Sequence, residues 1–469
     1  MTPSGRPRPA ARDRRPPGER HARPERAPRP ERPDRPEHAG RLERPDHPER
    51  PDRHGRPVRA AAAHGCGAGG APRAEAVVDL AAIAGNTRLL AAHARGAVMA
   101  VVKADGFGHG AVPVARTALA HGASWLGVTS TAEALALRAA GITAPVLSWL
   151  HLPDEDFVPA LRAGVDLAVP SPSHLAGIAA AADRARVTAR VHLKVDTGLR
   201  RNGVAPADWP AVVEQARALE RRGLLTVHGL WSHLVHADGT GPETALQVAA
   251  FERAAAVARR AGLRPALLHL ANSGACLTAP RTHYDLVRVG LGLYGVEPVP
   301  GRDHGLRPAM TLRARAVAAR PVAAGEGVSY GHEYTAARDG TLLLVPLGFA
   351  DGVPRAAAGR ARMWVAGSRR PVAGRIAMDQ CVLDAGAHPV GPGEEVLVFG
   401  PGDHGEPTVA DWARWAGTNP HEVLTGIGPR VPRRHLPAPG RPAGNPTPDP
   451  CPSPSPSDSA TDEETTDRA

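Results

Sequence analysis

Residues 98–110 read VMAVVKADGFGHG, and this stretch sets the interpretation of the whole chain. An apolar run typical of a buried parallel strand ends at Lys103, and a loop rich in glycine follows at once. In a (β/α)8 barrel, catalytic residues stand where the strands end and the βα loops begin. Lys103 is therefore a candidate catalytic residue at the mouth of a barrel.

Seven further short apolar runs follow this strand, and stretches with helical periodicity lie between them. The eight predicted strands are Val98–Lys103, Trp125–Thr129, Pro145–Trp149, Val165–Val169, Arg190–Val195, Thr226–Trp231, Ala266–Leu270 and Leu286–Val289. The predicted helices include Ser130–Ala140 and Thr244–Ala261, the second with Leu246, Ala249, Ala250 and Phe251 on its buried side. These alternations predict a (β/α)8 barrel over residues 76–305, although the pattern alone also fits an open doubly wound sheet.

The residue pattern changes after Pro298, where strand-like segments are interrupted by glycine and proline. This pattern is typical of an all-β domain, which we place at residues 306–436. Its predicted strands are Thr311–Ala318, Thr341–Leu347, Arg362–Ala366 and Glu395–Phe399, followed by one short helix, Val409–Ala416. The predicted fold is thus an α/β barrel followed by a smaller β domain.

The two ends of the chain are poor in large apolar residues. Residues 1–72 repeat Arg-Pro-Glu and Arg-Pro-Asp, and residues 438–469 consist mainly of proline, serine, threonine and acidic residues. Such segments cannot bury a core, so we predict that both tails are disordered. They also lack aromatic anchors, which gives little support to a role as an interaction module.

The net charge of +10 comes partly from the first tail, which holds 17 arginines against 10 acidic residues. The last tail holds 2 arginines against 6 acidic residues, so 38 basic and 31 acidic residues remain between the tails. This mild excess is not interleaved with aromatic residues, which argues against nucleic-acid binding. An anionic cofactor or substrate explains it equally well.

The cysteine pattern and the hydropathy indicate where the protein works. The four cysteines lie far apart in the sequence, a spacing that predicts neither a disulfide framework nor a zinc site. No apolar run reaches the length of a membrane span, and the N-terminus is charged where a signal peptide needs apolar residues. We therefore expect a cytoplasmic protein without membrane contact.

Lysine is almost absent from this chain, because 55 of its 57 basic residues are arginine and only Lys103 and Lys194 are lysine. Arginine cannot lose its proton in a protein, whereas a lysine amine in a barrel mouth can deprotonate and form an imine with an aldehyde. A sequence that uses arginine nearly everywhere else thus points to a chemical need for Lys103.

Seven motifs in the chain resemble those of the alanine racemase family, whose members are pyridoxal-phosphate enzymes of fold type III. In chain order the motifs are Ala100–Gly110, Leu193–Gly198, Ser232–Leu234, His269–Ser273, Val287–Gly290, Val328–Gly331 and Ala377–Gln380. The resemblance covers residues 76–436 and both predicted domains. It implies interconversion of L-alanine and D-alanine, which supplies D-alanine for the peptidoglycan of the cell wall.

The resemblance further implies a pyridoxal 5′-phosphate site with the cofactor attached to Lys103. The phosphate is expected where the loops after the last two barrel strands converge, since backbone amides and a hydroxyl there can hold a dianion. Arg288 matches the arginine that faces the pyridine nitrogen and leaves it unprotonated, which disfavours transamination and decarboxylation relative to proton exchange. The implied cofactor-binding residues are Lys103, Phe107, His233, Asn272, Ser273, Arg288, Gly290 and Leu291.

Racemisation needs one acid–base group on each side of the substrate Cα. By resemblance these groups are Lys103 and Tyr330, and Tyr330 reaches the active site of the partner subunit, so the catalytic unit is a homodimer. His233 is expected to hydrogen-bond Tyr330 and to link it to Arg288.

The resemblance also implies which groups bind the substrate carboxylate. Arg201 and the backbone amide of Met378 match those groups. Lys194 matches a position that is carbamylated in some relatives, where it supports this arginine.

Two positions depart from the family pattern, which usually has tyrosine in place of Phe107 and often has tyrosine in place of Pro429. Both lost hydroxyls belong near the phosphate or the channel to the site, so we expect weaker cofactor binding. A broad-specificity amino-acid racemase, a fold type III decarboxylase and a non-catalytic carrier of the cofactor stay open as alternatives. Tyr330 together with Arg288 argues against the decarboxylase, and the second domain argues against the carrier, because such carriers are usually a barrel alone.

Overall fold

The described part of the chain starts in the sheet of the β domain, then forms the barrel, and afterwards returns to complete that first sheet. The computed structural model describes residues 72–438 except residues 237, 239 and 240. The tails predicted to be disordered, 1–72 and 438–469, lie outside the described residues apart from residues 72 and 438 themselves. The first strand, β1 (Ala74–Asp79), lies between two strands of the β domain and was not predicted from the sequence.

Eight parallel strands form the barrel and follow one another around it in chain order. They are β2 (Ala97–Val101), β3 (Trp125–Val128), β4 (Val146–Ser148), β5 (Asp166–Val169), β6 (Ala189–Lys194), β7 (Leu225–Trp231), β8 (Leu267–His269) and β9 (Leu286–Val289). Strand β9 pairs with β2, and on its other side the amide of Arg288 donates to the carbonyl of Ala271, just after β8, at 3.0 Å. The ring is therefore closed, which confirms the predicted barrel and excludes the open sheet.

Helices connect the barrel strands and cover their outer side. In the described part of the chain the helices of the barrel are α1 (Leu80–His93), α2 (Lys103–Phe107), α3 (Ala111–Ala120), α4 (Thr131–Ala139), α5 (Val158–Arg162), α6 (Pro172–Ala185), α7 (Trp209–Arg221), α8 (Glu243–Arg260) and α9 (Ser273–Thr278). The β domain contributes α10 (Val409–Ala416) and α11 (Pro420–Gly426). None of these helices combines the length and the apolar character that a membrane span needs.

Helix α8 buries a different face from the predicted one. Of the four residues expected inside, Leu246 is 70% exposed and only Phe251 is fully buried. Gln247 takes the inward position, where its side chain accepts from the amide of Val235 at 2.8 Å and donates to the carbonyl of His233 at 3.0 Å. These polar contacts hold the loop that carries His233, and a hydrophobic pattern cannot anticipate them.

The β domain contains a six-stranded sheet, a three-stranded sheet and a two-stranded hairpin. Its strands are β10 (Met310–Arg315), β11 (Ala318–Val322), β12 (Gly327–Val328), β13 (Tyr334–Thr335), β14 (Gly340–Val345), β15 (Arg362–Val365), β16 (Ser368–Pro371), β17 (Cys381–Gly386), β18 (Glu395–Phe399) and β19 (Arg433–Leu436). In the large sheet, β1 pairs antiparallel with β10 and parallel with β19. The domain core includes Trp412 of α10, whose indole N–H donates to the carbonyl of Val398 at 2.6 Å.

Candidate active site

The turn that follows β2 has an uncommon backbone conformation. Ala104, Asp105, Gly106 and Phe107 have φ angles of 52°, 50°, 61° and 53°, so α2 is a left-handed turn rather than a normal helix. Each such residue other than glycine costs roughly 1–2 kcal/mol. The conformation therefore persists only because contacts from other elements hold it, and it places Lys103 at the rim of the barrel mouth.

Contacts from three places hold this turn. The carboxylate of Glu133, near the start of α4, accepts from the amide of Ala104 at 2.7 Å, and Asp105 accepts from the amide of Ala111 at 2.8 Å. The guanidinium of Arg433, on β19, donates to the carbonyl of Gly108 at 2.9 Å. Because β19 belongs to the β domain, the second domain helps to shape the Lys103 turn.

Lys103 itself is half-buried at the end of its strand. Burial, and to a lesser degree the positive charge of Arg201, lowers the pKa of the Lys103 amine, while the carboxylate of Glu133 acts in the opposite direction. A lowered pKa enlarges the neutral fraction of the amine near neutral pH. The neutral amine is the form that attacks an aldehyde.

The predicted phosphate-binding residues come together where β8 and β9 end. The hydroxyl oxygen of Ser273 accepts from the amides of Gly290 and Gly292 at 2.9 and 3.3 Å, so its own proton remains to be donated outward. Ser273 and Leu291 each begin a short helical turn, where the first amide groups have no partner within the turn. Asn272 caps α9 by accepting from the amide of Ala275 at 2.9 Å. This group of donors can hold an anion.

The ring of Phe107 packs against this group of donors. Its centroid lies 4.6 Å from that of Tyr294 and 5.5 Å from that of His421. A Cβ placed on Gly290 would meet the Cζ atom of Phe107 at 3.2 Å, so glycine keeps open the space between them. Burial lowers the pKa of His421, with a further contribution from the positive charge of Lys103.

Arg288 lies at the floor of the mouth with only 5% of its surface exposed. Its guanidinium donates to the carbonyls of Ser232 at 2.9 Å and Leu270 at 3.2 Å, and to Nδ1 of His233 at 3.2 Å. It also lies 5.0 Å from the ring centroid of Trp231. In the described part of the chain Arg288 has no carboxylate partner, and burial lowers its pKa to about 9. A buried cation without an acidic partner is suited to face a hydrogen-bond acceptor on a ligand.

His233 and Lys194 lie near Arg288 in the barrel mouth. Burial, and next the charge of Arg288, lowers the pKa of His233 to about 3, so its ring is neutral at neutral pH. The amine of Lys194 lies 4.4 Å above the ring centroid of Trp231. Burial, followed by the charges of Arg288 and Arg201, lowers the pKa of Lys194 to about 8. The mouth is therefore lined by cationic and neutral donors.

Tyr330 and Met378 lie elsewhere, on the surface of the β domain, where they are 67% and 60% exposed. Tyr330 lines a shallow pocket with Arg375, Ala377 and Gln380, among others. None of the hydrogen bonds or ring contacts described within the chain joins Tyr330 to His233 or to Lys103. The expected hydrogen bond between Tyr330 and His233, which the family resemblance places between two subunits, stays a prediction.

Several residues of the site were not found from the sequence. Glu133 forms a capping box with Ser130 at the start of α4, and that Ser-x-x-Glu spacing was the only signal available for it. Arg433 is one of many arginines, and His421 lies on a helix, α11, that was not predicted. Their roles depend on contacts between segments far apart in the sequence.

Comparison with known proteins agrees with this arrangement. The family model of the alanine racemase N-terminal domain matches residues 78–298, and that of the alanine racemase C-terminal domain matches residues 309–435. The chain is 54% identical to the alanine racemase of Thermobifida fusca over 363 residues, which are 77% of this chain and 97% of that protein. It is 51% identical to the alanine racemase of Frankia casuarinae over 378 residues, 79% of this chain and 98% of that protein.

A solved structure shows the same likeness in three dimensions. The crystal structure of alanine racemase from D-cycloserine-producing Streptomyces lavendulae matches with a TM-score of 0.77 and 48% sequence identity. The match covers 79% of this chain and 98% of that chain. Both domains are therefore shared over nearly the full length of these relatives.

Proposed function

Because the chain belongs to the alanine racemase family and is accordingly an isomerase, we propose that it interconverts L-alanine and D-alanine with pyridoxal 5′-phosphate bound at Lys103. The observation that carries this proposal is the state of Arg288, a buried cation without a carboxylate partner in the described part of the chain. Such a cation can donate to a ring nitrogen but gives no proton up, so it favours proton exchange at Cα over other outcomes.

The residues around the barrel mouth fit the cofactor. Lys103 offers an amine of lowered pKa to the aldehyde carbon, and the hydroxyl of Ser273 and the amide of Leu291 offer hydrogen bonds to the phosphate, while the amide of Gly290 holds Ser273 in place. Arg288 offers an N–H to the pyridine nitrogen. When bound, pyridoxal phosphate withdraws electrons from Cα and so makes the Cα proton acidic.

Proton exchange then requires a base on each side of Cα. We assign Lys103 to one side and Tyr330 of a second copy of this chain to the other, so that the active unit is a homodimer. The high exposure of Tyr330 and Met378 supports this assignment, since exposed apolar side chains are suited to burial against another chain. His233 is neutral and bonded to Arg288, and its remaining ring nitrogen is available to the partner's phenol.

The substrate carboxylate is assigned to Arg201 and the amide of Met378. Arg201 is exposed at the mouth, and its positive charge acts on both Lys103 and Lys194. Production of D-alanine for peptidoglycan synthesis is the role that follows from this activity.

The direct test is to supply the protein and pyridoxal phosphate with pure L-alanine and to follow D-alanine by chiral chromatography. We expect D-alanine to accumulate until both antipodes are equal. Lys103→Arg is the matched control, because it keeps the charge but cannot form an imine, and it should be inactive. Absence of racemisation with alanine and with every other small amino acid would overturn the proposal. Equal rates with several amino acids would instead support the broad-specificity alternative, and release of carbon dioxide would support the decarboxylase.

A further inference from the structure

A chain of hydrogen bonds crosses the inside of the barrel from its far end to Arg288. Asp166, at the start of β5, has its Oδ2 atom 3.2 Å from Nε2 of His192 on β6. Nδ1 of His192 lies 2.9 Å from Nε2 of His269 on β8. Nδ1 of His269 lies 3.4 Å from Nη1 of Arg288 on β9. Asp166, His192 and His269 are fully buried, and Arg288 nearly so.

The hydrogen bonds of this series all run in one direction, because a guanidinium can only donate hydrogen bonds. Arg288 must therefore donate to Nδ1 of His269, which leaves the proton of that ring on Nε2. That proton points at Nδ1 of His192, so the proton of His192 must also be on Nε2, facing Asp166. Both rings are then neutral Nε2–H tautomers, and each donor in the chain points from the cation toward the carboxylate. Burial lowers the pKa of both His192 and His269, which agrees with neutral rings.

Two further side chains stabilise the negative charge of Asp166, which ends the series of hydrogen bonds opposite Arg288. The guanidinium of Arg190 donates to its Oδ1 atom through Nε at 2.8 Å, and Nδ1 of His228 lies 3.3 Å from its Oδ2 atom. These contacts, with that of His192, hold the pKa of Asp166 well below its usual range despite burial. The three side chains Asp166, His192 and His228 are close enough to surround a cation, but Arg190 already neutralises the carboxylate. We therefore interpret this cluster as the group that holds the Asp166 end of the hydrogen-bond series in place, and not as a metal site.

We propose that Asp166 is a positioning residue for Arg288: through His192 and His269 it fixes both imidazole tautomers and orients the guanidinium toward the bound cofactor. The inference rests on the proposed function only for its last step, the contact between Arg288 and the pyridine ring. A carboxylate next to Arg288 would form an ion pair with it and compete with the ring nitrogen. Two intervening imidazoles let Asp166 polarise His269 as an acceptor without touching Arg288, much as a buried aspartate orients a catalytic histidine.

The first experiment tests the chain without any cofactor. Histidine labelled with ¹⁵N in its ring is incorporated into the full-length protein, and the ring nitrogens are observed by NMR at pH 7. We expect His192 and His269 to give the signals of neutral Nε2–H tautomers, assigned by His192→Gln and His269→Gln variants. A proton on Nδ1 of either ring, or a doubly protonated ring, would overturn the proposed direction. This result stands whether or not the protein racemises alanine.

The second experiment compares Asp166→Asn with Arg190→Gln. Both variants break the ion pair between Arg190 and Asp166, but Arg190→Gln keeps the Asp166 carboxylate as an acceptor for His192. For Asp166→Asn we expect kcat to fall about tenfold with little change in KM, the usual scale for partners that orient a functional group indirectly. The ¹⁵N signal of labelled pyridine nitrogen in the loaded protein should also shift. Arg190→Gln should lower kcat less than Asp166→Asn does and should shift that signal less, because the carboxylate still accepts from His192 and His228. Equal losses in both variants, or an unshifted pyridine signal in Asp166→Asn, would reduce Asp166 to an ion-pair partner.

Discussion

Phe107→Tyr should strengthen cofactor binding, because the new hydroxyl is attached to the atom that already faces the predicted phosphate site. The Cζ atom of Phe107 is the nearest heavy atom to a Cβ placed on Gly290, at 3.2 Å. A hydroxyl on Cζ therefore extends into the space beside Gly290, where its amide and the hydroxyl of Ser273 meet. The ring has no freedom to turn elsewhere, since Phe107 is 4% exposed and packs on Tyr294.

The size of the effect follows from the charge of the phosphate. A hydrogen bond to a charged group is worth about 1.5–3 kcal/mol, and the lower value is appropriate here because the new hydroxyl must first give up water. A gain of about 1.5 kcal/mol corresponds to roughly a tenfold lower Kd for pyridoxal phosphate.

The assay is a titration of the cofactor-free protein with pyridoxal phosphate, followed by the fluorescence of the buried tryptophans. Tyr294→Phe is the matched control. It removes a buried hydroxyl whose proton is already donated to the carbonyl of Val101 at 2.9 Å. It should lower the free energy of unfolding by about 1 kcal/mol without any gain in affinity. An unchanged or higher Kd for Phe107→Tyr would refute the placement of the phosphate beside Gly290.

Three further predictions concern the scaffold. Arg433→Ala removes the guanidinium that donates to the carbonyls of Gly108 at 2.9 Å and Gly428 at 2.6 Å, so we expect about 2–4 kcal/mol less stability in urea and weaker cofactor binding. Trp412→Ala should lower the free energy of unfolding by about 3–5 kcal/mol, as is usual for a fully buried tryptophan; a loss below 1 kcal/mol by denaturant titration would contradict the assigned core. Burial lowers the pKa of His109 to about 4, below its value of about 6.5 in an unfolded chain. As the pH decreases, the unfolded state therefore binds a proton on this ring before the folded state does. The free energy of unfolding should then fall between pH 6.5 and pH 4. Thermal unfolding at several pH values checks this, and His109→Gln should flatten the curve.

The barrel could be predicted because its signals are local. All eight predicted strands lie within two residues of the observed ones, since each is a short buried apolar run next to a helical segment. Strand β1 could not be placed in this way. Its partners, β10 and β19, lie more than two hundred residues further along the chain, and no local pattern records that pairing.

The candidate site was predicted where residue type limits the chemistry. Lys103 and Arg288 were identifiable because lysine is rare in this chain and because their motifs resemble a known family. Glu133, Arg433 and the route from Asp166 to Arg288 were not identifiable, because each depends on atoms that meet only after folding. The mistaken face of α8 has the same origin, since the inward position of Gln247 is set by hydrogen bonds to a distant loop.

The shared two-base site is tested most directly by mixing Lys103→Ala subunits with Tyr330→Phe subunits, neither of which should racemise alanine alone. In a mixed dimer one site receives Lys103 from one chain and Tyr330 from the other, and is intact. Random reassociation of equal amounts should therefore restore about a quarter of the wild-type activity, since about half of the dimers are mixed and each holds one intact site. If native mass spectrometry shows mixed dimers and yet no D-alanine forms from L-alanine, Tyr330 does not serve the partner's site and the proposed mechanism is wrong.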